Sequence, residues 1–428
     1  MRPLPTLPVA FLKPSGELLP APLLELRKQR GTALVDMPLP TRRTENWKYS
    51  SRYLKLTEDL ATALPMGGSA SNNLATPGYK VVFLNGIVVP EASEFPEFEG
   101  LSVQRFGDLS TEEATELAAR LDSTLNSKFA QLSLLNTARF EDGLLIRLKP
   151  ETIVDQPLFI IHEITAGATG SAYPRIFVDA GHHSQITLVE EFISDGSGAA
   201  MINAVIEFDL ADSARVTSIH LNMEGDNVQH IGATGVRQQR SSWFESHAVG
   251  FGGPLRRHDL MVRLEGDGAE CKLNGVVVAQ DRQHYDNHIT VEHIGTNCNS
   301  WETYRNIAAD QSHIVFNGRI HIHQDAQKSN ADMSNKNLLL SSGAEIDTKP
   351  ELEIYADDVK CAHGATVGQL DKESLFYLVT RGIGRRDASV LLTMAFINEL
   401  VSEIPIEAVR DTAQVRLNQF FDQAFQEV

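Results

Sequence analysis

Only three cysteines, Cys271, Cys298 and Cys361, occur in the 428 residues, too few and too scattered for a disulfide framework or a self-contained four-thiolate metal centre. Reduced thiols in a cytoplasmic compartment are expected. Positive charge is scarce as well: 38 Lys and Arg against 56 Asp and Glu leave a formal net charge of −18. Such a surface repels phosphate backbones and anionic lipid, so neither nucleic acid nor a membrane is an expected partner. No apolar run approaches the ~20 residues that a bilayer span requires. The opening stretch is interrupted by Pro3, Pro5 and Pro8 before a signal-peptide core can form. Also missing are a GxxxxGK[ST] loop, a GxGxxG after a strand, a GxSxG elbow and an HExxH helix. Nucleotide hydrolysis, dinucleotide redox chemistry, serine hydrolysis and zinc proteolysis thereby lose their usual signatures. Any use of ATP has to come from a partner.

Histidine is present in number but unevenly placed. All 14 lie between His162 and His363, so the middle of the chain differs in composition from its ends. The N-terminal part, residues 1–143, reads as mixed and partly helical. Leu23, Leu24 and Leu26 run into Arg27-Lys28-Gln29-Arg30-Gly31, a short helix with basic residues in its last turn and Gly at its stop. Trp47 and Tyr49 are expected to anchor a loop on the core. Lys80 to Val89 is apolar on both sides of Asn85-Gly86, the pair that favours a type I′ hairpin. Ser110 and Glu113 predict a capping box, and Leu117, Leu121, Leu125, Phe129, Leu132 and Leu135 continue it as one long helix.

From 144 to 369 the helical period disappears. Short runs such as Arg175–Val178, Gln185–Val189, Val216–Leu221, Leu273–Val278 and Arg319–His323 are separated by Gly, Asn, Asp and Ser. More than two hundred residues of short strands exceed one sandwich of about 100 residues. A stacked β-helix accommodates them, because each rung pairs with the rung before it and length grows without a wider core. The glycines of Gly250-Phe251-Gly252-Gly253-Pro254 read as a tight solenoid turn. A pair of sandwiches or a large barrel is the competing architecture. From 370 to 428 the pattern returns to helix, with starts at Asp371, Arg385 and just after Pro405. Three such helices can cap the open end of a solenoid or dock a partner.

Two arrangements could carry metal chemistry. His321 and His323 sit at i and i+2 of a strand-like run, so both imidazoles leave one face of the sheet. No third ligand is apparent nearby in sequence, although His313 could approach from a neighbouring rung. Cys361-Ala362-His363-Gly364 lies just before the chain turns helical. A soft thiolate and an imidazole on the same side are half of a tetrahedral iron or zinc site, and the remaining ligands would come from another subunit. The competing readings are hydrogen-bonded sheet histidines and a structural core thiol.

Leu39-Pro40-Thr41-Arg42-Arg43 with Glu45-Asn46-Trp47-Lys48-Tyr49, and Val359 to Gly368 running on into Leu375-Phe376-Tyr377-Leu378 and Arg381-Gly382-Ile383, resemble the SufB/SufD family of the SUF iron-sulfur cluster assembly machinery. The chain lacks the Cys-rich stretch typical of SufB, so the resemblance is to the SufD side. It implies a mainly β fold, a right-handed parallel β-helix between an N-terminal mixed region and a C-terminal helical domain. It further implies a non-enzymatic scaffold that pairs with SufB through the β-helix and docks the SufC ATPase through the C-terminal helices, supporting iron entry and nascent cluster assembly. His363 then matches the family's interface histidine, with Cys361 beside it. The cofactor would be a transient cluster or iron shared with the partner, with reduced flavin at the level of the complex. Pairing of the isolated chain with itself is left open. Two other classes compete: an exported-type β-helix enzyme acting on polysaccharide, and a free-standing metalloenzyme using His313, His321 and His323.

Overall fold

The computed structural model describes residues 6–12, 18–35, 37–57, 60, 64, 78–125, 130–194 and 197–425. Two long sheets face each other across one apolar interior. The first, ten-stranded, begins with the hairpin Tyr79–Leu84/Ile87–Val88 and ends with the strand Lys360–Gly368. The second, eleven-stranded, includes Leu101–Arg105 and Gly143–Leu148 at one edge and Glu345–Ile354 at the other. Successive strands alternate between the sheets and pair in parallel with the strand one coil earlier, giving a parallel β-solenoid of about seven turns. The hairpin forms as its sequence predicts, with Asn85 at φ 54° and Gly86 at φ 88° and Phe83 opposite Val88.

The corners explain the punctuation in the sequence. Where the chain crosses from the second sheet to the first, every coil but the last places one residue in the left-handed region: Glu151, His183, Ser213, Ser241, Gly268, Asn297 and Lys328. Turns also stack closely. A Cβ on Gly266 would sit 2.0 Å from the backbone nitrogen of Arg240 in the coil before, which leaves room only for hydrogen. Gly252 to Pro254 lie in the turn between the strands Trp243–Phe251 and Arg256–Leu264, while Gly250 and Phe251 close the first of these strands.

Side chains alternate inward and outward, and both faces of the early coils are covered. Inward residues such as Ile160, Leu188, Val216, Ile176, Phe208 and Val262 fill the interior. Outward residues Leu145, Phe177 and Ile231 of the second sheet, with Leu255 just before its strand Arg256–Leu264, meet the N-terminal helices α1 (Ala21–Leu34), α2 (Thr111–Arg120) and α3 (Ala130–Arg139). Burial on both faces is why these strands read as apolar runs rather than alternating ones. Trp47 is buried in this layer, with the Arg257 guanidinium 4.1 Å above its ring.

Three helical expectations change. First, α1 continues through Gly31 to Leu34. Leu34 is buried, and docking that last turn outweighs the cost of about 1 kcal/mol for a helical Gly. Second, the predicted long helix is broken. Ser110 and Glu113 do form the capping box, but α2 stops at Arg120 and Asp122 adopts φ 66°. There the Asp122 carboxylate accepts hydrogen bonds from Arg30 at 2.7 Å, Thr137 at 2.6 Å and Arg175 at 3.0 Å, satisfying charges that a continuous helix would leave apart. Leu132 and Leu135 then belong to α3, and Phe129 lies outside the described residues.

Third, the C-terminal helices do not cap the open end. Of α4 (Lys372–Thr380), α5 (Arg385–Ser402) and α6 (Glu407–Ala424), the last two lie along the outer face of the first sheet. Ile397, Leu400, Val409 and Leu417 pack there on Val82, Ile161, Ile219 and Val276, and Glu403 binds Lys272 at 2.8 Å. Among the described residues, no helix roofs the final coil.

Candidate functional site

Lys360–Gly368 and Glu345–Ile354 are the last strands of the two sheets. Each pairs with only one neighbouring strand, in the coil before, so each leaves an open edge among the described residues. Cys361 stands opposite Ala331 and His363 opposite Met333. Ala331 and Met333 are interior residues, so Cys361 and His363 continue inward-facing rows beyond the point where the interior has a roof. Both face one way, as their spacing predicts. Cys361 is half-buried against the core, whereas His363 is exposed.

Burial pushes the Cys361 thiol above its ordinary 9.0, against a smaller opposing contribution from a backbone hydrogen bond with Ala331. It is therefore a thiol near neutral pH, and metal binding there has to release a proton. The other cysteines are sealed inside. Burial drives Cys271 far up and Cys298 to about 11, which makes both poor ligands and poor nucleophiles.

Among the described residues, two groups bring three or more candidate ligand atoms together, and neither includes Cys361 or His363. One is Glu292, His321 and His323; the other is His313, Glu345 and Asp347. His313 therefore does not join His321 and His323. It starts the same strand, His313–Ile322, so eight residues of extended chain, about 26 Å, separate it from His321. Its Nε2 is 2.8 Å from Asp347, and Tyr49, Tyr53 and His284 surround its ring. The third candidate ligand that sequence reasoning missed is Glu292, the register partner of His321 one coil earlier.

Most of the remaining histidines are structural. His162 lies 3.2 Å from Glu190, His230 lies 2.6 Å from Glu224, and His220 stacks on His258 at 4.9 Å. Burial lowers the pKa of His162, His230 and His258, so these rings are neutral packing elements with one or two hydrogen bonds. The histidine excess of the middle of the chain is in large part this interior.

Apolar exposure is concentrated where the coil ends. Ile354, Tyr355, Val367, Phe376, Tyr377 and Val379 are exposed within one stretch of chain, an arrangement that marks an association surface. No helix of the described residues is long and apolar enough to cross a membrane.

The fold and site thus define a parallel β-solenoid that ends in an unroofed coil bearing a thiol and an imidazole, flanked by a helical layer on each side. Residues 162–396 match the family model described as SUF system FeS cluster assembly, SufBD core domain. The iron-sulfur cluster assembly protein SufD of Escherichia coli is 30% identical over 400 residues, covering 90% of each chain. A SufBD-family iron-sulfur cluster assembly protein of Synechocystis is 29% identical, covering 90% of this chain and 88% of its own. Protein ABCI7, chloroplastic, of Arabidopsis thaliana is 27% identical over 94% of this chain and 86% of its own. The chain belongs to the SufBD family of SUF iron-sulfur cluster assembly proteins and is of the SufD type.

Proposed function

We propose that this chain is a non-enzymatic scaffold subunit that supplies part of a ligand set for a nascent iron-sulfur cluster at a seam with a SufB-type subunit. The observation that carries this reading is the unroofed last coil. Two sheet edges with unspent N–H and C=O groups invite strands from a second chain, and Cys361 and His363 stand beside those edges. Two ligands cannot saturate a cluster or an iron ion, so a partner has to complete the set. Incomplete ligation from each side also makes release to a client easier than from a closed four-thiolate cage.

The helices give the scaffold a second contact. α5 and α6 are fixed to the first sheet, while α4 presents Phe376 and Tyr377 to solvent, 70% and 56% exposed. An ATPase subunit of the SufC kind docking there would move the rigid solenoid as a body and shift the seam. ATP chemistry belongs to that partner, and reduced flavin, where present, belongs to the complex.

Replacing His363 with Ala tests the reading. Cluster maturation in cells should be lost while the subunits still co-purify; normal maturation would overturn the role of the coil.

A further inference from the structure

Glu292, His321 and His323 lie on the outer face of the second sheet, away from the inward-facing Cys361 and His363. Their ligand atoms all fall within 4.8 Å of one another. Register brings them together: Glu292 is directly opposite His321, and the extended chain returns His323 to the same face, with its ring stacked on His321 at 4.2 Å and 22°. We propose that these three side chains form a mononuclear site for a divalent transition-metal ion of the ferrous or zinc class. The proposal goes beyond the seam assigned to Cys361 and His363 and does not rest on it.

Several observations converge. Two imidazoles and one carboxylate form a donor set for borderline divalent ions rather than for calcium or magnesium, which take oxygen. Bonds of about 2.1 Å bring such donors to roughly 3 Å from one another, a change from 4.8 Å that rotation of the side chains supplies. Nε2 of His323 is buried with no hydrogen-bond partner, so one coordinating atom is unspent. The nearby cations are engaged elsewhere. Arg319 makes two bonds to Glu353, at 3.0 and 2.7 Å, and only a long 3.4 Å contact to His321. Arg263 is 3.0 Å from Glu265 but 3.7 Å from Glu292. A bound ion displaces at most these two weak contacts, Arg319 to His321 and Arg263 to Glu292. Glu292 also lines a cleft with Ser123, Thr124, Leu125, Met261 and Arg263, where water can occupy the remaining coordination positions.

The test uses the full chain without a polyhistidine tag. Anaerobic titration with Fe²⁺ alone should give one equivalent bound, and Co²⁺ as a spectroscopic stand-in should give a visible d–d band of the same stoichiometry. The His321→Gln/His323→Gln double variant and Glu292→Gln should each weaken binding by at least about tenfold, with unchanged circular dichroism. The Cys361→Ser/His363→Ala variant should bind as wild type does. Unchanged affinity in the His321→Gln/His323→Gln variant, no binding by the wild type, or loss only in the Cys361→Ser/His363→Ala variant would each overturn the site. Because Cys361 and His363 are varied separately, failure here leaves the seam reading standing, and the reverse.

Discussion

Glu302 is the place where the interior of this solenoid conflicts most sharply with its charge. It occupies an inward row between Leu273 and Met333, is fully buried, and neither carboxyl oxygen has a hydrogen-bond partner. Burial alone raises its pKa well above 4.5. The native protein therefore holds a proton that the unfolded chain releases above about pH 4.5. The sign follows directly: the native state keeps its full advantage below 4.5 and loses it progressively as pH rises towards the native pKa. Each pH unit in that window costs about 1.4 kcal/mol. Glu302→Gln has nearly the same shape and no charge at any pH, so this loss disappears from the variant. Urea unfolding of both proteins at pH 5, 6 and 7 should show the variant gaining on the wild type by about 1.4 kcal/mol per unit. Titrations elsewhere cancel in the difference between the two proteins. A difference that stays flat across the three pH values would refute the buried neutral acid.

Two further outcomes follow from the same geometry. Arg175 is fully buried and binds Asp122, Glu207, Asn136 and Thr137, joining the second sheet to the α2–α3 layer. Arg175→Ala should cost about 3–5 kcal/mol in urea unfolding, since it leaves the buried Glu207 without its cation and removes one of the two cations on Asp122, and adding Glu207→Gln should recover part of that loss; strictly additive effects would refute the coupling. Native protein treated with iodoacetamide should carry a single adduct, on Cys361, formed more slowly at pH 8 than on a free thiol and faster as pH rises past 9, because burial raises that thiol's pKa. Mass spectrometry reads the result, and adducts on native Cys271 or Cys298 would contradict their burial.

Much of the architecture was legible because a solenoid is written locally. The hairpin at Asn85-Gly86, the capping box at Ser110 and the Asp371 start of α4 depend on neighbours in sequence, and all three form as their residues predict. The stacking register was not legible. Paired residues are 27 apart at Trp243 and Glu270, 29 apart at His284 and His313, and 32 apart at His313 and Glu345, so no single period survives in the sequence. That variation hid Glu292 behind His321 and made His313 look available to a site it does not reach. The break at Asp122 was hidden for a related reason, since Arg30, Thr137 and Arg175 meet there only after folding.

By itself the chain specified its local elements, its mainly β middle and the pairing of Cys361 with His363 on one face, because turn chemistry and side-chain alternation act over a few residues. Tertiary structure alone decided that the C-terminal helices lie along the first sheet, that the last coil stays open, and that Glu292 meets two histidines. Those outcomes depend on which coil stacks on which, a choice made by burial and backbone pairing between residues some thirty positions apart.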